Sequence, residues 1–376
     1  MNRSIVAAVG VTALVTSVPL VWMNARQEGE YRRVIAAGDA AAAREQTFEA
    51  IEFFSGALTL KPDSTIARLK RGDAYRRRGE LGAAVRDLGE AAVLDPTAPR
   101  PLELLGDARS AMGQPEEAAR EYERFLTLDD REPRVIYKLG LAYYRSGDIP
   151  RAVEALRRVV SLDDRFAEAH YLLGLSLRSQ EDHGPPERAL LRALEIDPTF
   201  SAAREELVSL YTASNRPQKA LEQLETLAAL EPARPERIVR LGLAQARLGR
   251  RDAAVLTLGR AAERHPDAAV VYAALGRVWL EIAESQDDQI ALRKALEALA
   301  PVAARADATS DTLAWYGRVL YLSGEVAAAE RALRRAVELF PVEPSAFSHL
   351  AAAARRLGHT QLAREAAARH AMLVGE

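Results

Sequence analysis

A spacing of 34 residues constrains this chain more than any other feature. The phrases Leu60-Lys61-Pro62-Asp63, Leu94-Asp95-Pro96-Thr97, Ile196-Asp197-Pro198-Thr199 and Leu230-Glu231-Pro232-Ala233 recur along it. Pro62 and Pro96 stand 34 residues apart, and so do Pro198, Pro232 and Pro266. Three further periods separate Pro96 from Pro198, with Asp130 and Asp164 in the proline's place, both inside Leu-Asp-Asp-Arg. A fixed period of this length is the mark of a repeat architecture, in which one supersecondary unit stacks on the next.

The interior of the period shows what the unit is. Counting from Tyr31, position 8 is Gly38, Gly72, Gly106, Gly140, Gly174, Val208 and Gly242. Position 20 is Ala50, Ala84, Ala118, Ala152, Pro186, Ala220 and Ala254, and position 27 is also often alanine. Position 24 is a large apolar residue throughout: Phe54, Leu88, Tyr122, Leu156, Leu190, Leu224 and Leu258. Small residues belong where two helices touch most closely. A glycine inside a helix costs about 1 kcal/mol against alanine, and is kept where a side chain would push the partner helix away. Gly79, Gly113, Gly147 and Gly249 recur at position 15, where a left-handed residue ends a helix. Proline at position 32 cannot continue the second helix and opens the next one.

This pattern resembles the tetratricopeptide-repeat (TPR) family over about residues 31–376. The resemblance implies an all-α, right-handed superhelical solenoid of about ten helix-turn-helix repeats. They begin at Tyr31, Thr65, Pro99, Pro133, Ala167, Ser201, Pro235, Ala269, Ser310 and Pro344. The tenth runs through its second helix with no separate solvating helix after it. Two repeats depart from the pattern. The fifth carries Glu181 for the turn glycine and Pro185-Pro186 where its second helix should begin, so a longer turn and a shorter helix are expected. The eighth is 41 residues long. Its seven extra residues are about two helical turns, so both helices could lengthen by one turn, with Asp287 or Asp288 as the cap and a kink or early end at Pro301.

Residues 1–30 differ from the rest. A short basic tail precedes Ile5 to Met23, which carries no charge and as a helix would span about 28 Å, close to a bilayer core. A cleaved signal peptide competes with this reading, but its apolar stretch should be shorter and Met23-Asn24-Ala25 is a poor cleavage site. The expectation is an uncleaved single-pass anchor in an inner membrane, with the repeats facing the periplasm.

Composition excludes several functions. The chain has 376 residues, a net charge of −2 and no cysteine. Disulfides, thiolate metal sites and a cysteine nucleophile are therefore absent, and nothing recommends nucleic acid as a partner. No two of the six histidines have metal-ligand spacing on one helix face, and no phosphate loop, dinucleotide fingerprint or nucleophile elbow occurs. Asp129-Asp130 and Asp163-Asp164 stand at the same junction of successive repeats and Asp287-Asp288 in a turn, and all three read as caps. No catalytic residue, cofactor or metal is expected.

A protein partner is expected instead. In the TPR family the concave surface is lined mainly by the first helix of each repeat. That register selects Tyr137, Leu141, Tyr144 and Arg145 in the fourth repeat and Tyr171, Leu175 and Arg178 in the fifth. It also selects Arg76 and Arg77 in the second, Val239, Leu243 and Arg247 in the seventh, Arg277 in the eighth, and Arg318 and Tyr321 in the ninth. Tyrosine and arginine dominate binding hot spots, so a segment with acidic and apolar residues is the expected ligand. The same tyrosines could instead pack between neighbouring helices. The Lys/Asn clamp by which some relatives hold chaperone carboxylates is missing, since its sites read Ile35, Asp39, Leu69 and Asp73. A scaffold or adaptor is the leading reading, and a regulatory subunit of one enzyme the alternative.

Overall fold

The computed structural model describes residues 3–179 and 185–375, with side chains from Met23 onward. Among the described residues there are twenty helices and no strand. Two compact units part between Pro198 and Thr199. The first holds α1 (Arg3–Ala43), α2 (Thr47–Leu60), α3 (Thr65–Arg78), α4 (Leu81–Leu94), α5 (Pro99–Ala111), α6 (Pro115–Leu126), α7 (Pro133–Ser146), α8 (Ile149–Leu162), α9 (Ala167–Arg178) and α10 (Pro186–Ile196). The second holds α11 (Ser201–Ala213), α12 (Pro217–Leu230), α13 (Pro235–Arg247), α14 (Arg251–Arg264), α15 (Ala269–Gln286), α16 (Gln289–Ala303), α17 (Ser310–Leu322), α18 (Val326–Glu338), α19 (Pro344–Arg356) and α20 (Thr360–Val374). Within each unit the helices pair in order, and the second helix of each pair packs on the first helix of the next. Each unit is therefore an array of stacked helix pairs.

One contact defines every regular pair. The first helix brings its glycine against the large residue at position 24 of the second. A methyl group added at Gly72 would stand 2.7 Å from Leu88 Cγ, and one at Gly106 2.5 Å from the Tyr122 ring. The same holds at Gly38 over Phe54 and Gly242 over Leu258. Leu88, Leu156, Leu258 and Leu333 are fully buried beneath these glycines. Ala84 and Ala152, at position 20, are fully buried as well. The turns follow the expected chemistry: Gly79, Gly113, Gly147 and Gly249 all have positive φ, and Asn215 takes that conformation in the sixth repeat. Asn tolerates it because its short polar side chain bonds locally.

The eighth pair absorbs its seven extra residues at the turn end. Gly276 still faces Leu299. The α15 helix runs ten residues past Gly276, whereas α13 and α17 stop five past Gly242 and Gly317. The α16 helix starts ten residues before Leu299, against seven before Leu258 in α14 and Leu333 in α18. Asp288 caps α16, accepting from the amides of Ile290 at 2.7 Å and Ala291 at 3.2 Å. Pro301 lies within α16, which ends two residues later. In the fifth repeat α10 has 11 residues, where α4, α8, α12 and α14 have 14. The turn expected from Gln180, with Glu181, lies outside the described residues up to Pro185.

The membrane expectation is corrected. Among the described residues no helix is long and apolar enough to cross a membrane, so a single-pass inner-membrane anchor is not supported. The run from Ile5 to Trp22 lies outside the described side chains. From Met23 the same helix carries Arg26, Glu28, Glu30, Arg32 and Arg33 and continues unbroken into the first repeat. That stretch is mostly exposed, and Glu28 pairs with Arg32 at 2.8 Å. Charge at this density belongs in water.

Candidate partner-binding site

The residues expected at the groove divide into those already engaged and those still available. On α3, Arg76 and Arg77 both close on Asp73, at 2.6 and 2.9 Å. On α7, Tyr137 is half-buried with its ring centroid 4.9 Å from that of Phe166, and burial raises the pKa of its phenol. Leu141, Tyr144 and Leu175 are half-buried against a core of Val153, Leu156, Leu172, Leu173 and Leu177. Packing between α7, α8 and α9 therefore takes much of the tyrosine stripe. Arg145 is exposed and donates to Ser110 Oγ at 3.3 Å. Tyr171 is half-buried and Arg178 exposed.

In the second unit Arg318 pairs with Glu284 at 2.7 Å. Its guanidinium also lies 5.7 Å from the Tyr321 ring, which Arg356 approaches at 5.6 Å. Arg277 bonds Glu281 at 3.0 Å and stacks on Trp315 at 5.3 Å. Arg247 is exposed and, among the described residues, has no ion-pair partner.

Two clefts meet on α13. Val239, Leu243 and Arg247 stand four residues apart and so form one stripe along that helix. A cleft of about 360 Å³ is walled by Val239 and Leu243, Val270 and Ala273 of α15, and Asp311 and Trp315 of α17. A second, of about 320 Å³, is walled by Leu243 and Arg247, Val208 and Thr212 of α11, and Leu224 of α12. Leu243 lines both clefts, and second helices contribute Leu224 of α12 to one and Val302 of α16 to the other. Asp311, Val270 and Trp315 escaped the sequence reading. Val270 and Asp311 stand at position 2, which belongs to the groove register but was not used to choose candidates, and Trp315 stands at position 6, outside it. A third cleft, in the first unit, includes Asp39 and Asp73 in its wall, and both are paired, with Lys70 and with Arg76 and Arg77.

Several titratable groups elsewhere bond to the backbone or to a neighbouring helix. Asp129 and Asp163 accept from the backbone amides of Arg131 and Arg165, at 3.2 and 3.0 Å. His359 bonds Glu330 at 2.7 Å, and His370 the carbonyl of Pro344 at 3.0 Å. Among the described residues no cluster of acidic or histidine side chains could hold a metal ion.

Comparison with known proteins agrees with this architecture. Tetratricopeptide-repeat family models match residues 35–99, 137–199 and 238–268. Those segments, under half of the chain, are similar to tetratricopeptide repeats. No curated protein sequence matches the chain significantly. Among solved structures it is similar to MamA, with 26% identity over 43% of this chain and 95% of that one, at a TM-score of 0.42. It is also similar to YrrB, described as a TPR protein with an unusual peptide-binding site, with 21% identity over 48% of this chain and 92% of that one, at 0.42. The PilF protein of Pseudomonas aeruginosa is 18% identical over 56% of this chain and 96% of its own, at 0.47.

Proposed function

We propose that the protein is an interaction scaffold that holds an extended segment of a partner protein in the trough centred on Leu243. One observation carries this reading: two clefts, each large enough for an apolar side chain, share the wall residue Leu243. An extended segment places alternate side chains about 7 Å apart. It can therefore seat one apolar residue on each side of Leu243 while its backbone crosses α13. Preformed apolar clefts with few polar groups are the usual form of a binding site. In this reading Tyr137 and Tyr144 serve mainly to pack α7 against its neighbours.

The test uses the whole chain as bait for a library of random 12-residue peptides displayed on phage. Peptides rich in apolar residues should be enriched. Leu243→Asp, which places a charge at the shared wall, should abolish their binding with the helical signal unchanged. Failure to select any peptide, or equal binding to the variant, would overturn the proposal.

A further inference from the structure

The charged groups around the trough are matched within the protein, with two exceptions. Arg305 closes on Asp307 through two bonds of 2.8 and 2.9 Å. Arg240 closes on Glu205 at 2.6 Å. Arg277 is held by Glu281 and the face of Trp315. Among the described residues, Arg247 in one cleft and Asp311 in the other have no ion-pair partner. They lie on opposite sides of Leu243 and carry opposite charge. Asp311 sits in the first turn of α17. Burial, and then the carboxylate of Glu343, hold its pKa above the usual range, and Arg277 offsets this only in part. A cation arriving there would relieve both effects.

We infer that the partner segment is bipolar, with two apolar residues seated on either side of Leu243, an acidic residue that pairs with Arg247 and a basic residue that pairs with Asp311. This rests on the trough being the binding site. The physical reason is complementarity: an arginine accepts a carboxylate through two parallel bonds, and a partly desolvated carboxylate favours an ammonium or guanidinium over water. Like charge at either end leaves two unpaired groups in a half-dry site, which selects against wrong partners. A purely acidic segment would satisfy Arg247 and be repelled at Asp311.

The probes are the phage-selected peptides, resynthesised with a fluorophore and measured by anisotropy against the whole chain. Their consensus should read acidic, apolar, apolar, basic, with one residue between the apolar pair. Arg247→Glu and Asp311→Lys should each weaken the consensus peptide by about tenfold, as loss and reversal of a rim ion pair. Repeating the selection on each variant should drop the acidic residue in the first case and the basic residue in the second. Both positions are exposed, so circular dichroism should show unchanged folding. If Leu243→Asp abolishes binding while neither charge variant alters affinity or consensus, the trough stands and its polarity is refuted. If no peptide is selected, or Leu243→Asp is without effect, both readings fall.

Discussion

Gly106 and Gly140 occupy the same place in successive repeats, yet their surroundings differ. A methyl group at Gly106 would come within 2.5 Å of the Tyr122 ring. That ring is buried, and its hydroxyl is anchored to Asp107 Oδ1 at 2.9 Å, so it has nowhere to turn. At Gly140 the methyl group would meet Leu156 Cγ at 2.9 Å, and a leucine can shift its branch by a rotamer adjustment. Alanine gains about 1 kcal/mol of helix propensity at either site. Overpacking opposes this by about 1–3 kcal/mol, with the rigid ring at the upper end. Urea unfolding should therefore show Gly106→Ala clearly destabilised, by about 2 kcal/mol net, and Gly140→Ala within about 1 kcal/mol of the parent. The reverse order would mean that the ring can move and that shape at this contact is not the constraint.

At the scale of elements, the long eighth pair shows how an insertion is tolerated. The extra turns extend away from the Gly276–Leu299 contact, so the packing that the repeat depends on is untouched. The added turn of α15 buries Ile282 and Ala283 and places Glu284 where it meets Arg318 of α17. The start of α16 then relies on Asp288, because the residue before it, Asp287, has a positive φ that ends α15. One carboxylate oxygen satisfies two otherwise open amides and faces the positive end of the helix dipole. Asp288→Ala should lower stability by about 1 kcal/mol, read as a shift in the thermal midpoint. Asp288→Asn should recover most of the loss, and an alanine variant as stable as the parent would show that water replaces the cap.

At the scale of the whole molecule, the described repeats within each unit pack on their neighbours in the chain, which makes stability close to a sum of local terms. Ala84 is fully buried in a cluster with Leu88, Leu104, Leu105 and Ala108. Ala84→Leu should overpack it and cost about 1–3 kcal/mol. The damage should remain nearby. Hydrogen exchange should accelerate in α3 to α6, while α13 to α18 keep their protection. Equal acceleration throughout would show that the chain unfolds as a single cooperative body.

The helix pairs are legible in the amino-acid order alone. The glycine of one helix, the large residue facing it and the left-handed turn residue interact within a single period, so each leaves its mark at a fixed spacing. Val208, standing where glycine was expected, and the irregular eighth repeat could be located in the same way. Which of the many arginines and tyrosines remain available depends on contacts that form only in the folded chain. Arg76, Arg77 and Arg318 look equivalent to Arg247 in the register, but Asp73 and Glu284 neutralise them. Tyr137 is covered by Phe166, 29 positions further along the chain. The trough likewise assembles Asp311 and Trp315 with Val239 and Leu243, from helices whose distance along the chain carries no periodic signature. An apolar run near the start suggested a membrane span, and the described part of that helix does not support it. Pairing and enclosure depend on side chains meeting across helices in three dimensions, and a spacing rule records only where each helix lies.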